Sequence, residues 1–269
     1  MSCTSAVEFF NNLGKIVLAV EYNGRRYYGF QWQKGCPTVQ DELEKAVLSL
    51  TGESRRVSAA CRTDTGVHAR GQVVSFRTGF ILAPRKFVSG MNHYLPEDIA
   101  VAGAAAVSDR FNVMKDAVSR EYCYQIMNRR PRVALENDMC YHVMTRLDAG
   151  LMDRAAGLLT GEHDFASFVT GWDRQESTVR RVSDAGVERE GEKVAFRIRA
   201  KSFLPHQVRN IVGTLVRVGA GKITIEEFNS ILEMKKLSLA GPTAPAHGLC
   251  LMKVIYADNS EFKYENLCT

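Results

Sequence analysis

Val57-Ser58-Ala59-Ala60-Cys61-Arg62-Thr63-Asp64-Thr65-Gly66-Val67-His68-Ala69-Arg70-Gly71-Gln72-Val73-Val74-Ser75-Phe76-Arg77 reads as strand, turn, strand. Val57 to Cys61 and Gln72 to Arg77 are short apolar runs of the kind that pair in a sheet. Between them, Arg62 to Gly66 is turn-prone, because Asp bonds its own backbone and Gly supplies a positive φ. A turn aspartate needs no further purpose. The surroundings of Asp64 ask for one, since Arg62 lies two residues before it and His68 four residues after it. A carboxylate held beside a guanidinium stays ionised, because the opposite charge favours the anion. An ionised and partly dehydrated carboxylate is a competent nucleophile.

Working outward, Lys15 to Tyr22 alternates as a strand, with Ile16, Leu18, Val20 and Tyr22 on one face and Val17 and Ala19 on the other. A turn at Asn23-Gly24 follows, then the aromatic run Tyr27-Tyr28-Gly29-Phe30. Pro37-Thr38 opens a helix in which Thr38 and Asp41 have capping-box spacing; Val39, Leu43, Ala46, Val47 and Leu50 share a face, and Gly52 stops it. A helix is predicted from Pro84, burying Phe87, Val88 and Met91, and a strand from Ile99 to Val107. Beyond a candidate linker at Ser108 to Asp116 the pattern starts again. Arg120 to Met127 alternates with Tyr122, Tyr124 and Ile126 on one face, and Asp148 caps a helix that Gly161 stops. Val194 to Ala200 is a strand, and Pro205 to Val218 is a strongly amphipathic helix closed by Gly219 and Gly221. Thr224 and Glu227 form a capping box, and Leu249 to Tyr256 is the last strand. Hairpin-like strand pairs in irregular order predict an α+β fold with a mainly antiparallel sheet, not a doubly wound parallel one. Two similar mixed halves are expected, 1–110 and 111–269.

The 269 residues carry a net charge of +5, which permits an anionic partner without requiring one. Arginine occurs in the pairs Arg25-Arg26, Arg55-Arg56, Arg129-Arg130 and Arg180-Arg181. The seven cysteines include no C-x-x-C pair, and no His-x-x-x-His pair exists, which argues against structural zinc and a disulfide framework. Free thiols fit the reducing cytoplasm. Met1 to Asn12 lacks the basic and apolar regions of a signal peptide, and no apolar stretch approaches the ~20 residues of a membrane span.

Other chemistries lack their parts. There is no G-x-x-x-x-G-K-[ST] loop, no G-x-G-x-x-G fingerprint and no G-x-S-x-G elbow. Asp64-Thr65-Gly66 spells the aspartic-protease triplet, but those enzymes need two carboxylates sharing a proton and this chain has one triplet. Arg62 would also oppose the shared proton.

Cys61-Arg62-Thr63-Asp64-Thr65-Gly66-Val67-His68-Ala69 resembles the G-R-T-D-A-G-V-H-A block of TruA-type tRNA pseudouridine synthases. Further blocks resemble the family in order: Val20 to Gly24 with Tyr28 to Gln31, Thr38 to Glu44, Arg120 to Tyr124, His163 to Phe168, Val208 to Gly213, and Ala240 to Pro245 through Gly248-Leu249. The resemblance implies the pseudouridine synthase fold with a central active-site cleft, and conversion of uridine to pseudouridine at positions 38, 39 and 40 of the tRNA anticodon stem-loop. It implies a homodimer that needs no cofactor and no metal. It places Asp64 on the catalytic aspartate, Tyr122 on the tyrosine that stacks against the target base, and Arg209 on an arginine that pairs with the aspartate. Arg62 falls on the arginine that helps displace the base, and Leu249 on an apolar residue packing the uracil ring. Whether the carboxylate attacks C6 of the base or acts at the sugar stays open. Cys61 and Thr65 stand where the family usually has glycine and alanine, which bears on the local backbone. His68 and His206 are expected to be structural. The competing class is a non-catalytic RNA-binding protein or RNA chaperone on the same fold.

Overall fold

A computed structural model describes residues 14–170, 177–236, 239–258, 260 and 262. The signal-peptide reading of Met1 to Asn12, together with Cys3 and Cys268, lies outside them. The described residues fall into two compact units, those within 1–118 and 251–269 and those within 119–250. This division differs from the expected 1–110 and 111–269. The segment 108–116 lies inside unit 1, and most of the last strand returns to that unit. Local pattern carries no record of such a return, because strand pairing is a long-range choice.

In unit 1, β1 (Lys15–Tyr22) pairs antiparallel with β3 (His68–Arg77) on one edge and β4 (Ile99–Val107) on the other. β2 (Ser58–Ala59) pairs with β3, and β10 (Leu249–Tyr256) lies on the far side of β3. The order is therefore β4-β1-β3-β10. Ile16, Val17, Leu18 and Ala19 are all buried, so both faces of β1 are covered and not one alone. α1 (Val39–Thr51) starts where Thr38 Oγ1 accepts from the Asp41 backbone N–H and ends at Gly52 in the left-handed region. Such a cap is worth about 1 kcal/mol. α2 (Pro84–Tyr94) packs on β4 through buried Phe87 and Met91, with Phe87 edge-on to Phe76 of β3 at 6.0 Å; Val88 is only half-buried.

In unit 2 the order is β5-β9-β8-β7: β5 (Ala117–Asn128), β9 (Lys193–Ala200), β8 (Val179–Glu190) and β7 (Gly161–Asp164), all antiparallel. β6 (Tyr141–Val143) pairs parallel with the end of β5. α3 (Ala149–Gly157), capped by Asp148, packs on β8 and ends before Gly161, which instead opens β7. α4 (Gln207–Gly219) and α5 (Ile225–Met234) pack with it, and α5 has the complete Thr224–Glu227 capping box. β8 shows no period to read: of its twelve residues only Val182 and Val187 are buried, with Arg180 and Arg181 before them and Glu188, Arg189 and Glu190 after. The α+β class with a mainly antiparallel sheet is thus what the described residues form. No described helix is long and apolar enough to cross a membrane.

Candidate active site

Asp64 sits in unit 1 at the start of a tight turn between β2 and β3. Its carbonyl accepts from the Val67 N–H at 3.1 Å, and Gly66 holds the positive φ of 78° that closes the turn. β3 begins four residues earlier than its apolar run suggests, at His68, because His68 and Ala69 join the ladder directly after this turn. The turn is therefore short, and Asp64 is joined to a regular strand within four residues.

Three sets of contacts fix the turn from outside. The Phe30 N–H donates to the Thr63 carbonyl at 3.1 Å, and the Gly66 N–H donates to the Tyr27 carbonyl at 3.3 Å. Tyr22 at the end of β1 shares a 2.8 Å hydrogen bond with the Thr63 hydroxyl. Gln72 in β3 donates Nε2 to the Cys61 carbonyl at 2.9 Å. Tyr22, Thr63 and Gln72 are buried, whereas Asp64 is half-buried and Arg62 exposed. The backbone of the turn is thus held by buried partners, and Asp64 itself is only half-buried.

His68 is buried, and its Nδ1 accepts from the Gly24 backbone N–H at 3.1 Å. The proton therefore sits on Nε2, and the ring ties the turn after β1 to the start of β3. That is the structural role expected of it. His206 occupies the N-cap of α4 in the left-handed region.

Tyr122, Arg209 and Leu249 belong to unit 2. Tyr122 lies on β5 opposite Ile198 of β9, is 7% exposed, and meets Phe203 edge-on at 5.2 Å. Arg209 is half-buried on α4 and doubly tied to one residue. Its Nε donates to the Ala244 carbonyl at 2.8 Å, and its own carbonyl accepts from the Ala244 N–H at 3.1 Å. The guanidinium is thereby aimed before any substrate arrives. Leu249 is buried and follows the 3-10 turn Ala246–Gly248.

The quoted blocks of unit 2 converge in space. Asn210 of α4 donates Nδ2 to the Phe168 carbonyl at 2.8 Å and accepts from the Thr243 hydroxyl at 2.6 Å. The Gly241 N–H donates to Thr214 Oγ1 at 2.9 Å. Tyr124, fully buried beside Tyr122 on β5, donates its hydroxyl to the Pro245 carbonyl at 2.7 Å. Burial pushes the Tyr124 phenol far above its usual pKa, with the Arg209 charge opposing, so it acts only as a neutral donor. A Cβ at Gly248 would strike the Tyr124 ring, so only glycine allows this turn to lie on it. The sequence alone assigns no site role to Tyr22, Gln72 or Asn210. A glutamine within the apolar run of β3 and an asparagine on the buried face of α4 were the available signals.

Among the described residues, no group of three or more His, Cys, Asp or Glu side chains could hold a metal ion. The five described cysteines are free thiols.

Comparison with known proteins bears on this arrangement directly. The sequence profile described as tRNA pseudouridine synthase matches residues 18–114 and 155–257. Proteins named tRNA pseudouridine synthase A from Thermoanaerobacter sp. (strain X514) and Acetivibrio thermocellus are 40% and 41% identical, each over 90% of this chain and 99% of their own length. The one from Haemophilus influenzae (strain 86-028NP) is 41% identical over 90% of both chains. Among solved structures, a Cbf5-Nop10-Gar1 complex aligns at 12% identity and a TM-score of 0.37, over 79% of this chain and 47% of that one, too slight a likeness to argue from. The profile and the relatives both span Asp64 and most of the two units, and the chain belongs to the tRNA pseudouridine synthase family.

Proposed function

We propose that this protein isomerises uridine to pseudouridine in tRNA, at positions 38, 39 and 40 of the anticodon stem-loop, with Asp64 as the nucleophile. The observation that carries the reading is the family match together with the half-buried Asp64 carboxylate on a turn clamped by β1, β3 and the 27–30 segment. A purely RNA-binding protein has no need to fix one carboxylate in this way.

The net reaction breaks the N1–C1′ bond and forms a C5–C1′ bond. The C5 proton leaves to solvent and N1 gains a proton, so no electrons are exchanged. The protein's part is to extrude the base, hold it as it turns, and present the Asp64 carboxylate. Extrusion costs a few kcal/mol. An aromatic face such as Tyr122 recovers about 1–3 kcal/mol by stacking. Tyr122, Arg209, Arg62 and Leu249 keep the roles that the resemblance gives them. The enzyme works as a homodimer in the cytoplasm, in line with its free thiols.

The test is release of tritium from tRNA labelled at uridine C5. Asp64→Ala and Asp64→Asn abolish release while tRNA binding persists. Normal release by Asp64→Ala ends the assignment, and a wild-type protein that binds tRNA yet leaves its uridines unchanged is the chaperone.

A further inference from the structure

The loop at residues 28–37 uses its base to clamp the Asp64 turn, but two of its aromatic rings take no part in that. Tyr28 is 52% exposed and Trp32 is 41% exposed. The backbone that carries them is held at both residues. The loop is closed by the Tyr28 N–H donating to the Pro37 carbonyl at 2.8 Å and by Gln33 Nε2 donating to the Tyr28 carbonyl at 2.7 Å. The Trp32 N–H donates to Gln40 Oε1 at 2.9 Å.

The Arg56 guanidinium carbon lies 5.5 Å from the centroid of the Trp32 ring, within cation–π range. Arg56 in turn pairs with Glu44 at 3.0 Å. The other oxygen of Glu44 accepts from Gln40 at 2.7 Å and from the Val57 N–H at 3.0 Å. The ring and its cation are thus tied to one frame of buried Gln40 and half-buried Glu44, while the Trp32 ring and Arg56 stay exposed. An exposed indole with a guanidinium over its ring offers a stacking surface and a positive charge together, as a nucleobase and its phosphate require.

The charge around it agrees. Residues 23–36 and 54–63 each hold three basic residues and no acidic one. Arg26, Arg55 and Arg56 have carboxylate partners in Asp98, Glu53 and Glu44, but Lys34 and Arg62 are exposed. We infer that Trp32, with Arg56 and Tyr28, is a stacking platform on unit 1 for an unpaired base of the tRNA other than the uridine being modified. The inference rests on the tRNA reading above and adds a second base-binding position to it.

Trp172, the other tryptophan, lies outside the described residues, and its replacement by Phe leaves Trp32 as the only indole. Titrating that protein with unmodified tRNA transcript quenches Trp32 fluorescence, and Asp64→Ala in the same background quenches equally though it is inactive. In the otherwise unchanged chain, Trp32→Ala weakens tRNA binding and raises KM about five- to hundredfold, with kcat within about twofold and the unfolding midpoint kept. Trp32→Phe restores most of the loss. Unmoved Trp32 emission on tRNA binding, or a Trp32→Ala KM within about twofold of the parent, overturns the platform. Pseudouridine formation without quenching sinks the platform alone. Quenching without pseudouridine formation sinks the synthase reading and leaves the platform standing.

Discussion

Gly29→Ala separates the positioning of Asp64 from the binding of tRNA, and its size can be worked from two glycines of one loop. Gly29 has φ +84° and Gly35 has φ +76°. An alanine at either position pays the left-handed penalty of about 1–2 kcal/mol. A Cβ at Gly35 meets nothing within 4 Å. At Gly29 it would lie 2.7 Å from the Thr63 carbonyl oxygen and 3.3 Å from Asp64 C and Thr65 N, where ordinary contact starts at 3.4 Å. Those are backbone atoms, so the neighbour that gives way is the Asp64 turn itself. The 3.1 Å bond from the Phe30 N–H to the Thr63 carbonyl gives way with it. Adding about 1 kcal/mol for that bond, Gly29→Ala loses about 2–3 kcal/mol of stability and Gly35→Ala about 1–2. A displacement approaching 1 Å at a reacting group can cost about a hundredfold in rate, so kcat for Gly29→Ala falls about ten- to hundredfold while Gly35→Ala keeps its rate. Tritium release at saturating tRNA gives kcat, filter binding gives Kd, and urea unfolding gives stability. Equal kcat for the two variants would refute the claim that the 27–30 segment sets the direction of the carboxylate.

Two further substitutions probe unit 2. Tyr122→Phe keeps its ring, so tRNA affinity stays within about threefold of the parent, whereas Tyr122→Leu weakens it by about 1–3 kcal/mol in the same filter assay; a Tyr122→Phe protein unable to bind tRNA would make Tyr122 a core residue only. Asn210→Ala strands the Phe168 carbonyl and the Thr243 hydroxyl, costs about 2–4 kcal/mol in urea unfolding, and lowers kcat by loosening the segment that holds Arg209. Unchanged stability would show that water replaces those bonds without loss.

Elements whose burial follows a period were legible. β1, α1, α2, β4, β9, α4 and α5 appear where apolar spacing and caps put them; the Thr224–Glu227 capping box forms complete, whereas at Thr38 only the threonine's half forms and the Asp41 carboxylate pairs with Lys45. β8 was not legible, because a strand with two buried residues in twelve gives no alternation to count. The destination of β10 beside β3 was not legible either, since nothing in Leu249 to Tyr256 names its partner. The same limit applies to the site. Asp64 could be found because its turn and its charged neighbours are local. Tyr22 and Gln72 could not be assigned to holding it, because they reach Thr63 and Cys61 from 41 and 11 residues away.

The two departures from the family block show what the backbone demands of the turn. Cys61 and Thr65 replace the usual glycine and alanine, and such changes matter where a residue must enter the left-handed region. Neither does: the described non-glycine residues with positive φ are His206 and Lys235, both far along the chain. The left-handed step in the turn falls on Gly66. Cys61 is anchored through its carbonyl, which Gln72 grips whatever side chain projects from the same residue. Thr65 is exposed, so its added hydroxyl and methyl need no space in the core. Position 66 carries the conformational constraint and position 64 the chemistry. The residues around them answer to the carbonyls and N–H groups they present, which is why side-chain changes at 61 and 65 leave the carboxylate where the turn puts it.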